Sequence, residues 1–266
     1  MKNPNIYSLA MEALTELVPE INAAGADVGT VLPSLTEALT DLAPLPREAL
    51  FFGIAEDGLP ILLNLHDPIP GPLLVCADAG AGKTAFLQLA AQAMIEMHSP
   101  EDVQFGVLTG HPEEWRNLER TEHCAGVFAI HEQAAMDFVR SLGEWAHTNR
   151  SRQSVVFLLD DLSRIENADD DVKDTLRWLL LRGPSRHVWP IVALDPSDGE
   201  RFLPWLDFFR TRIFGRTTDA AWAEAAARSA RGGLDSLVAG SQFAMLEGSR
   251  WLKFWLPRLE EGGSSR

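Results

Sequence analysis

The chain has 266 residues, of which 46% are hydrophobic and 23% are charged, and this balance excludes global disorder. Its formal net charge of −15 disfavours nucleic acid as a partner, which would need a local basic surface. Two cysteines exclude a disulfide framework. The sequence has no signal-peptide core and no apolar run of about 18 residues that could span a membrane, so we expect a cytoplasmic protein.

The first part of the chain predicts a helical appendage. Apolar residues recur at helical spacing over 9–18 and again over 32–42. About 40 residues bury too little surface to fold alone. We therefore expect residues 1–46 to be an appendage to a core at 47–259, with a disordered tail at 260–266.

Short apolar runs that alternate with longer amphipathic segments follow. The runs are continuous rather than alternating, which is typical of a parallel sheet covered by helices on both faces. Glu56-Asp57-Gly58 predicts a hairpin turn before them, and Glu247-Gly248-Ser249 predicts a closing β-hairpin after them. The predicted strands are Leu50–Ile54, Leu59–Leu65, Leu73–Cys76, Val103–Leu108, Gly126–Ile130, Val155–Leu159, Val188–Leu194, Arg212–Phe214, Gln242–Leu246 and Trp251–Leu256.

The segment Leu73–Thr84 carries the strongest chemical signal: an apolar strand, a loop of small residues, and Gly-Lys-Thr at the start of a helical pattern. Small residues let backbone N–H groups surround a phosphate, and the helix N-terminus adds a positive dipole end. Lys83 is expected to contact the β- and γ-phosphates of ATP, and the Thr84 hydroxyl to hold Mg²⁺. The predicted nucleotide-binding residues are Ala77, Asp78, Ala79, Gly80, Ala81, Gly82, Lys83, Thr84 and Ala85.

A second buried strand ends in two carboxylates. Five apolar residues, Val155–Leu159, precede Asp160 and Asp161. We predict that Asp160 binds Mg²⁺, directly or through water, and that Asp161 orients or deprotonates the attacking water. The alternative for Asp161 is that it merely caps the following segment. Loop and carboxylates together predict an α/β P-loop NTPase with a mainly parallel central sheet flanked by helices, an N-terminal helical appendage and a C-terminal β-hairpin.

With these motifs placed, the chain from about Phe51 to Pro257 resembles the FtsK/HerA family of ring-forming P-loop motor ATPases, which includes DNA pumps and the motor modules of type VII secretion. The resemblance implies ATP and Mg²⁺ as cofactors, a homo-oligomer or a place in a larger assembly, and a macromolecular substrate, with a protein as a candidate partner. The similar segments, in family order, are GIAEDGLP, LLVCADAGAGKTAFL, the Asp160-Asp161 pair, RGPSRH, the TRI of residues 211–213, and LVAGSQFAML.

The resemblance also implies an arginine finger, which in ring motors comes from the neighbouring subunit and stabilises charge on the transferred phosphoryl group. Arg212 matches the family's Thr-Arg-Ile strand and is our candidate, together with Lys83 and Asp161, for a catalytic role. Arg210, Arg186 and Arg164 are the alternatives.

Two departures from the family pattern keep other functions open. The family commonly ends its fourth core strand with Ala-Thr-Gln, whereas this chain has Ala193-Leu194-Asp195, where Leu194 cannot hydrogen-bond and Asp195 would repel a phosphate unless metal or water bridged them. The next segment, Pro196–Glu200, lacks the cations that a DNA grip needs. The alternatives to a motor ATPase are therefore a nucleotide-binding interaction module with little or no turnover and, less favoured, a DNA translocase.

Overall fold

The computed structural model describes residues 32–229 and 232–259. The helix predicted over 9–18 and the tail predicted over 260–266 lie outside these residues. The boundary at residue 46 between appendage and core stays a prediction.

The first described helix, α1 (Leu35–Asp41), begins with a capping box. The Ser34 N–H donates to Glu37 Oε2 at 2.8 Å, and the Glu37 N–H donates to Ser34 Oγ at 3.2 Å, so two N–H groups at the helix start are satisfied. Leu35 and Ala38 are buried in a core cluster that also contains Phe51 and Phe86. Helix α1 is thereby fixed to the sheet by its apolar side.

Within the described residues, ten strands form one sheet in the order β2-β1-β10-β9-β8-β3-β7-β6-β4-β5. The six strands from β8 to β5 are parallel to one another, and the remaining neighbours pair antiparallel. The predicted α/β fold with a mainly parallel sheet is confirmed. The strands are β1 (Ala49–Ala55), β2 (Pro60–Asn64), β3 (Leu73–Cys76), β4 (Val103–Thr109), β5 (Cys124–Ala129), β6 (Ser154–Asp160), β7 (Val188–Leu194), β8 (Thr211–Phe214), β9 (Gln242–Glu247) and β10 (Arg250–Trp255).

Helices cover both faces of the sheet. Because successive side chains of a strand point to opposite faces, Leu73 and Val75 of β3 join one core cluster and Leu74 and Cys76 join the other. The helix after β3 packs in the first cluster, and the helices after β5 and β6 pack in the second. The remaining α-helices are α2 (Lys83–Met97), α3 (Arg116–Glu119), α4 (Gln133–Thr148), α5 (Asp170–Arg182), α6 (Gly199–Phe202) and α7 (Ala220–Ala227).

The sheet order positions the site. Strands β3, β7 and β6 are neighbours and parallel, with Cys76 opposite Leu194 and Leu159 opposite Val192. Their carboxyl ends therefore meet at one edge of the sheet, where ligands bind in open α/β folds. No helix within the described part of the chain is long and apolar enough to cross a membrane.

Candidate nucleotide-binding site

The phosphate loop connects β3 to α2 through two glycines in the left-handed region. Gly80 has φ 71° and Gly82, the N-cap of α2, has φ 96°. A Cβ on Gly82 would lie 2.5 Å from Gly240 Cα, so the backbones of the two glycines are in close contact. The Gly240 N–H also donates to the Ala81 carbonyl at 3.1 Å. Glycine is thus required at position 82 both for its backbone conformation and for the space that it leaves.

Asp78 fastens the loop to the chain that follows β8. Its N–H donates to the Arg216 carbonyl at 2.9 Å. Its Oδ2 accepts hydrogen bonds from the Thr218 N–H at 2.9 Å and the Thr218 hydroxyl at 2.8 Å. These contacts, and that of Gly240, join residues more than 130 positions apart, so no local pattern in the sequence signals them.

Lys83 is held by three acceptors. Its Nζ donates to the carbonyls of Ala77 at 2.8 Å and Asp78 at 3.1 Å and to Asp195 Oδ2 at 2.9 Å. The side chains of Lys83 and Asp195 are only 11% and 16% exposed, so this ion pair is largely shielded from water. Burial acts to raise the pKa of Asp195, but the hydrogen bonds from Ser197 and Lys83 outweigh it and hold that pKa below its ordinary value.

Asp195 is a site residue whose pairing the sequence did not reveal. Its charge beside the loop suggested repulsion of a phosphate, and the structure pairs that charge with Lys83 instead. Leu194, the residue before it, is fully buried in the core. One sequence feature does point to Asp195. It directly follows β7, the parallel neighbour of β3, so it lies at the edge of the sheet where the phosphate loop begins.

Thr84, on α2, and Asp160, at the end of β6, lie in contact. The Thr84 hydroxyl donates to Asp160 Oδ2 at 2.8 Å. Burial raises the pKa of Asp160, and the hydrogen bond from Thr84 opposes that rise. A buried carboxylate whose pKa is raised in this way gains from a cation beside it, because the cation favours its charged form.

The residues present fit Mg²⁺. Within the described residues there is no group of three or more His, Cys, Asp or Glu side chains that could hold a metal ion. Mg²⁺ takes hard oxygen ligands and usually binds through one or two carboxylates completed by water and phosphate oxygens. The Thr84 hydroxyl and the Asp160 carboxylate supply oxygens of that kind.

Asp161 caps the helical turn Leu162–Asn167, in agreement with the alternative role that the sequence allows for it. Its Oδ1 accepts from the Ser163 N–H at 2.9 Å and from the Ser163 hydroxyl. Asp161 also lines a cavity of about 880 Å³ that Asp195 and Arg164 line as well. Capping engages one carboxylate oxygen, and the side chain still borders the space beside the site.

Arg212 is not brought to the phosphate loop as a free side chain. Its guanidinium donates to the carbonyls of Leu206 and Ala226 and, at 3.2 Å, to that of Phe209. Half-buried, it joins the end of α7 to the turn before β8, and burial lowers its pKa. A finger role would require these bonds to break. Of the four arginines considered as fingers, the one lining the cavity beside Asp161 is Arg164.

Comparisons with known proteins place the fold. No protein-family model matches the sequence, and no curated protein matches it. The cytoplasmic domain of the type VII secretion ATPase EccC from Thermomonospora curvata is similar at a TM-score of 0.68 and 16% identity, over 89% of this chain and 33% of that one. ATPases 2 and 3 of EssC from Geobacillus thermodenitrificans give 0.64 and 14%, over 98% and 52%.

A conjugation protein is similar as well. The pCW3 conjugation coupling protein TcpA, in a monomer form with ATPγS, gives a TM-score of 0.65 and 13% identity over 87% of this chain and 70% of that one. The chain spans about half or less of the EccC and EssC chains. At these identities the likeness concerns the fold.

The loop between β3 and α2, the Thr84–Asp160 pair and the parallel sheet define the fold of a P-loop NTPase. Among such proteins, the chain has the fold of the FtsK/HerA-type ATPases, because type VII secretion ATPases and a conjugation coupling protein match it over most of its length. The resemblance that the sequence motifs indicated is confirmed by these structures.

Proposed function

We propose that this chain binds ATP with Mg²⁺ and hydrolyses it as, or within, an oligomeric assembly acting on a macromolecule. The observation that carries the proposal is the Thr84–Asp160 hydrogen bond of 2.8 Å directly beside the phosphate loop. It unites residues 76 positions apart that P-loop chemistry requires together. A solitary Gly-Lys-Thr in a loop would not have a buried acidic strand end as its neighbour.

The chain's own groups divide the work in this proposal. Backbone N–H groups of residues 77–85 and the N-terminus of α2 bind the phosphates. Lys83 contacts the β- and γ-phosphates, and Thr84 and Asp160 hold the cation. Mg²⁺, when bound, neutralises charge on the phosphate oxygens. Asp161, at the rim of the cavity, orients the attacking water with the carboxylate oxygen that does not accept from Ser163.

The second candidate is a nucleotide-binding interaction module with little or no turnover. Two observations favour it. The Lys83 ammonium group is already paired with Asp195, and the position where the family carries a polar sensor is the buried Leu194. In that case ATP or ADP orders a surface for a partner instead of driving movement. A DNA translocase receives the least support, since Pro196–Glu200 contains no cation.

An assembly and a cytoplasmic location belong to the same proposal. The similar structures come from secretion and conjugation proteins, and one of them is described as a cytoplasmic domain. That likeness of fold supports the proposal of a homo-oligomer, or of a place in a larger assembly with a protein partner. In such rings an arginine of one subunit completes the site of the next.

Steady-state ATP hydrolysis over a range of protein concentrations tests turnover and assembly together. The motor hypothesis predicts that activity per molecule rises with concentration and disappears in Lys83→Ala. ATP binding that is lost in Lys83→Ala, without turnover at any concentration, would favour the interaction module. Turnover that depends on added DNA and falls steeply with salt would favour the translocase.

A further inference from the structure

The ammonium group of Lys83 has no donor left for a nucleotide. An ammonium carries three N–H donors, and the hydrogen bonds to Ala77, Asp78 and Asp195 use all of them. Two acceptors are carbonyls of the phosphate loop itself. The third is the carboxylate of Asp195, which lies outside the loop, directly after β7, so its removal would leave the loop unchanged.

Asp195 is itself fixed in position. It directly follows β7, whose Leu194 lies opposite Cys76 at the start of the loop. Its Oδ1 accepts from the Ser197 N–H at 3.0 Å and the Ser197 hydroxyl at 2.8 Å, while Oδ2 faces Lys83. Both oxygens are thus used, and the carboxylate is preorganised beside the ammonium group.

A triphosphate and a diphosphate differ in whether their binding requires the Lys83–Asp195 ion pair to open. The loop lysine of P-loop proteins contacts the β- and γ-phosphates. A γ-phosphate therefore needs the ammonium that Asp195 holds, and it brings negative charge against a carboxylate in a largely shielded site, where repulsion is strong. A diphosphate ends at its β-phosphate, which the loop N–H groups and the α2 N-terminus also bind, so it can be held while Lys83 keeps Asp195.

We propose that Asp195 is a specificity-determining residue that makes the nucleotide site prefer a nucleoside diphosphate to the triphosphate, an inference that rests on the function proposed above. Its carboxylate competes with the γ-phosphate for Lys83. Binding of ATP accordingly requires the Lys83–Asp195 pair to open, whereas binding of ADP does not.

Calorimetric titration of the full chain with ADP and with ATPγS, each with Mg²⁺, tests the proposal. The wild type is expected to bind ADP about tenfold more tightly than ATPγS. Asp195→Asn keeps an oxygen acceptor for Ser197 and removes the charge. This variant is expected to bind ATPγS about tenfold to 100-fold more tightly than the wild type, with ADP affinity changed by less than about threefold.

Two further variants make the ratio of affinities decisive. Asp198→Asn removes an equal charge from a residue that lines the same cavity, and it should leave the ADP-to-ATPγS ratio unchanged. Ser197→Ala removes one bond that orients Asp195, so it should shift the ratio in the direction of Asp195→Asn by a smaller factor. If Asp195→Asn folds poorly, the Ser197→Ala ratio decides.

The inference is overturned if Asp195→Asn changes both affinities by the same factor or weakens ATPγS, because the carboxylate would then not compete with the γ-phosphate. It is also overturned if the wild type prefers ATPγS. The proposed function fails by a different result: Lys83→Ala binding both nucleotides as well as the wild type does.

Discussion

Gly82 shows how a single residue supports the phosphate loop. It has φ 96°, and the backbone of Gly240 occupies the space where a side chain would lie. We predict that Gly82→Ala lowers nucleotide affinity by at least about tenfold, since the loop must move away from Gly240 and lose its fit to the phosphates. Calorimetric titration with ADP checks this.

Gly248→Ala is the matched control for that substitution. Gly248 has φ 61° in the turn between β9 and β10, with no atom within 4 Å of an added Cβ. It should lower the free energy of unfolding by about 1 kcal/mol without affecting nucleotide affinity. If Gly82→Ala binds ADP normally, the contact with Gly240 does not shape the site.

Arg212 is the residue for which sequence resemblance and structure point to different roles. Its three bonds to the carbonyls of Leu206, Phe209 and Ala226 indicate a structural role. We predict that Arg212→Ala lowers the free energy of unfolding by about 3 kcal/mol, because it removes three partly buried hydrogen bonds to carbonyls. Urea unfolding measures this.

Arg210→Ala is the comparison for Arg212→Ala. Arg210 is exposed and lies two positions earlier, and its loss should change the free energy of unfolding by less than about 0.5 kcal/mol. Unchanged stability of Arg212→Ala together with lost turnover would contradict the structural role and restore Arg212 as a finger.

Among the elements, helix α4 packs against the sheet at a glycine of β4, where no side chain separates the helix from the strand. Gly106 of β4 faces the ring of Phe138, which a Cβ at position 106 would overlap. Phe138 also stacks on Phe128 with ring centroids 4.7 Å apart, so the ring has little freedom to retreat. We predict that Gly106→Ala lowers the free energy of unfolding by about 2 kcal/mol by overpacking this contact.

Urea unfolding of Gly106→Ala beside Gly110→Ala tests that packing. A Cβ on Gly110 would contact the end of the flexible Arg164 side chain at 3.4 Å, which costs little. Equal stability of the two variants would show that α4 adjusts freely to the larger residue. Nucleotide affinity of Gly106→Ala should stay unchanged, because the contact lies away from the phosphate loop.

The elements themselves follow well from sequence because each has a local cause. The fully buried strand β7 was predicted as Val188–Leu194, its observed bounds, since seven apolar residues end at a charge. Strand order is different, because pairing is decided by contacts distant in sequence. Nothing in residues 211–214 alone says that β8 lies beside β3 and pairs with β9 on its other side.

In the molecule as a whole, local features and contacts between distant segments again differ in how well they can be predicted. Local motifs predict some residues of the site, and contacts between distant segments bring in the others. The motifs predict metal-binding roles for both Thr84 and Asp160, and the structure brings the two side chains together. The Lys83–Asp195 pair and the contact of Gly82 with Gly240 depend on how distant segments meet in three dimensions. Asp161 was predicted with both roles open, and the capping role is the one with visible hydrogen bonds.

Net charge acts at the same scale. The chain carries a net charge of −15, yet the predicted site must attract a nucleotide that is itself negative. Local groups have to overcome that field, namely the loop N–H groups, the start of α2 and Lys83. A nucleotide site built from these groups depends most on Lys83.

Equilibrium binding of ATPγS with Mg²⁺ to the wild type and to Lys83→Ala decides whether the phosphate loop is such a site, with Lys253→Ala, on β10, as control. We predict that the wild type and Lys253→Ala bind with equal affinity and that Lys83→Ala binds about 100-fold more weakly, because a charge-assisted contact to phosphate is lost. Equal affinity of Lys83→Ala and the wild type would contradict the assignment of the phosphate loop.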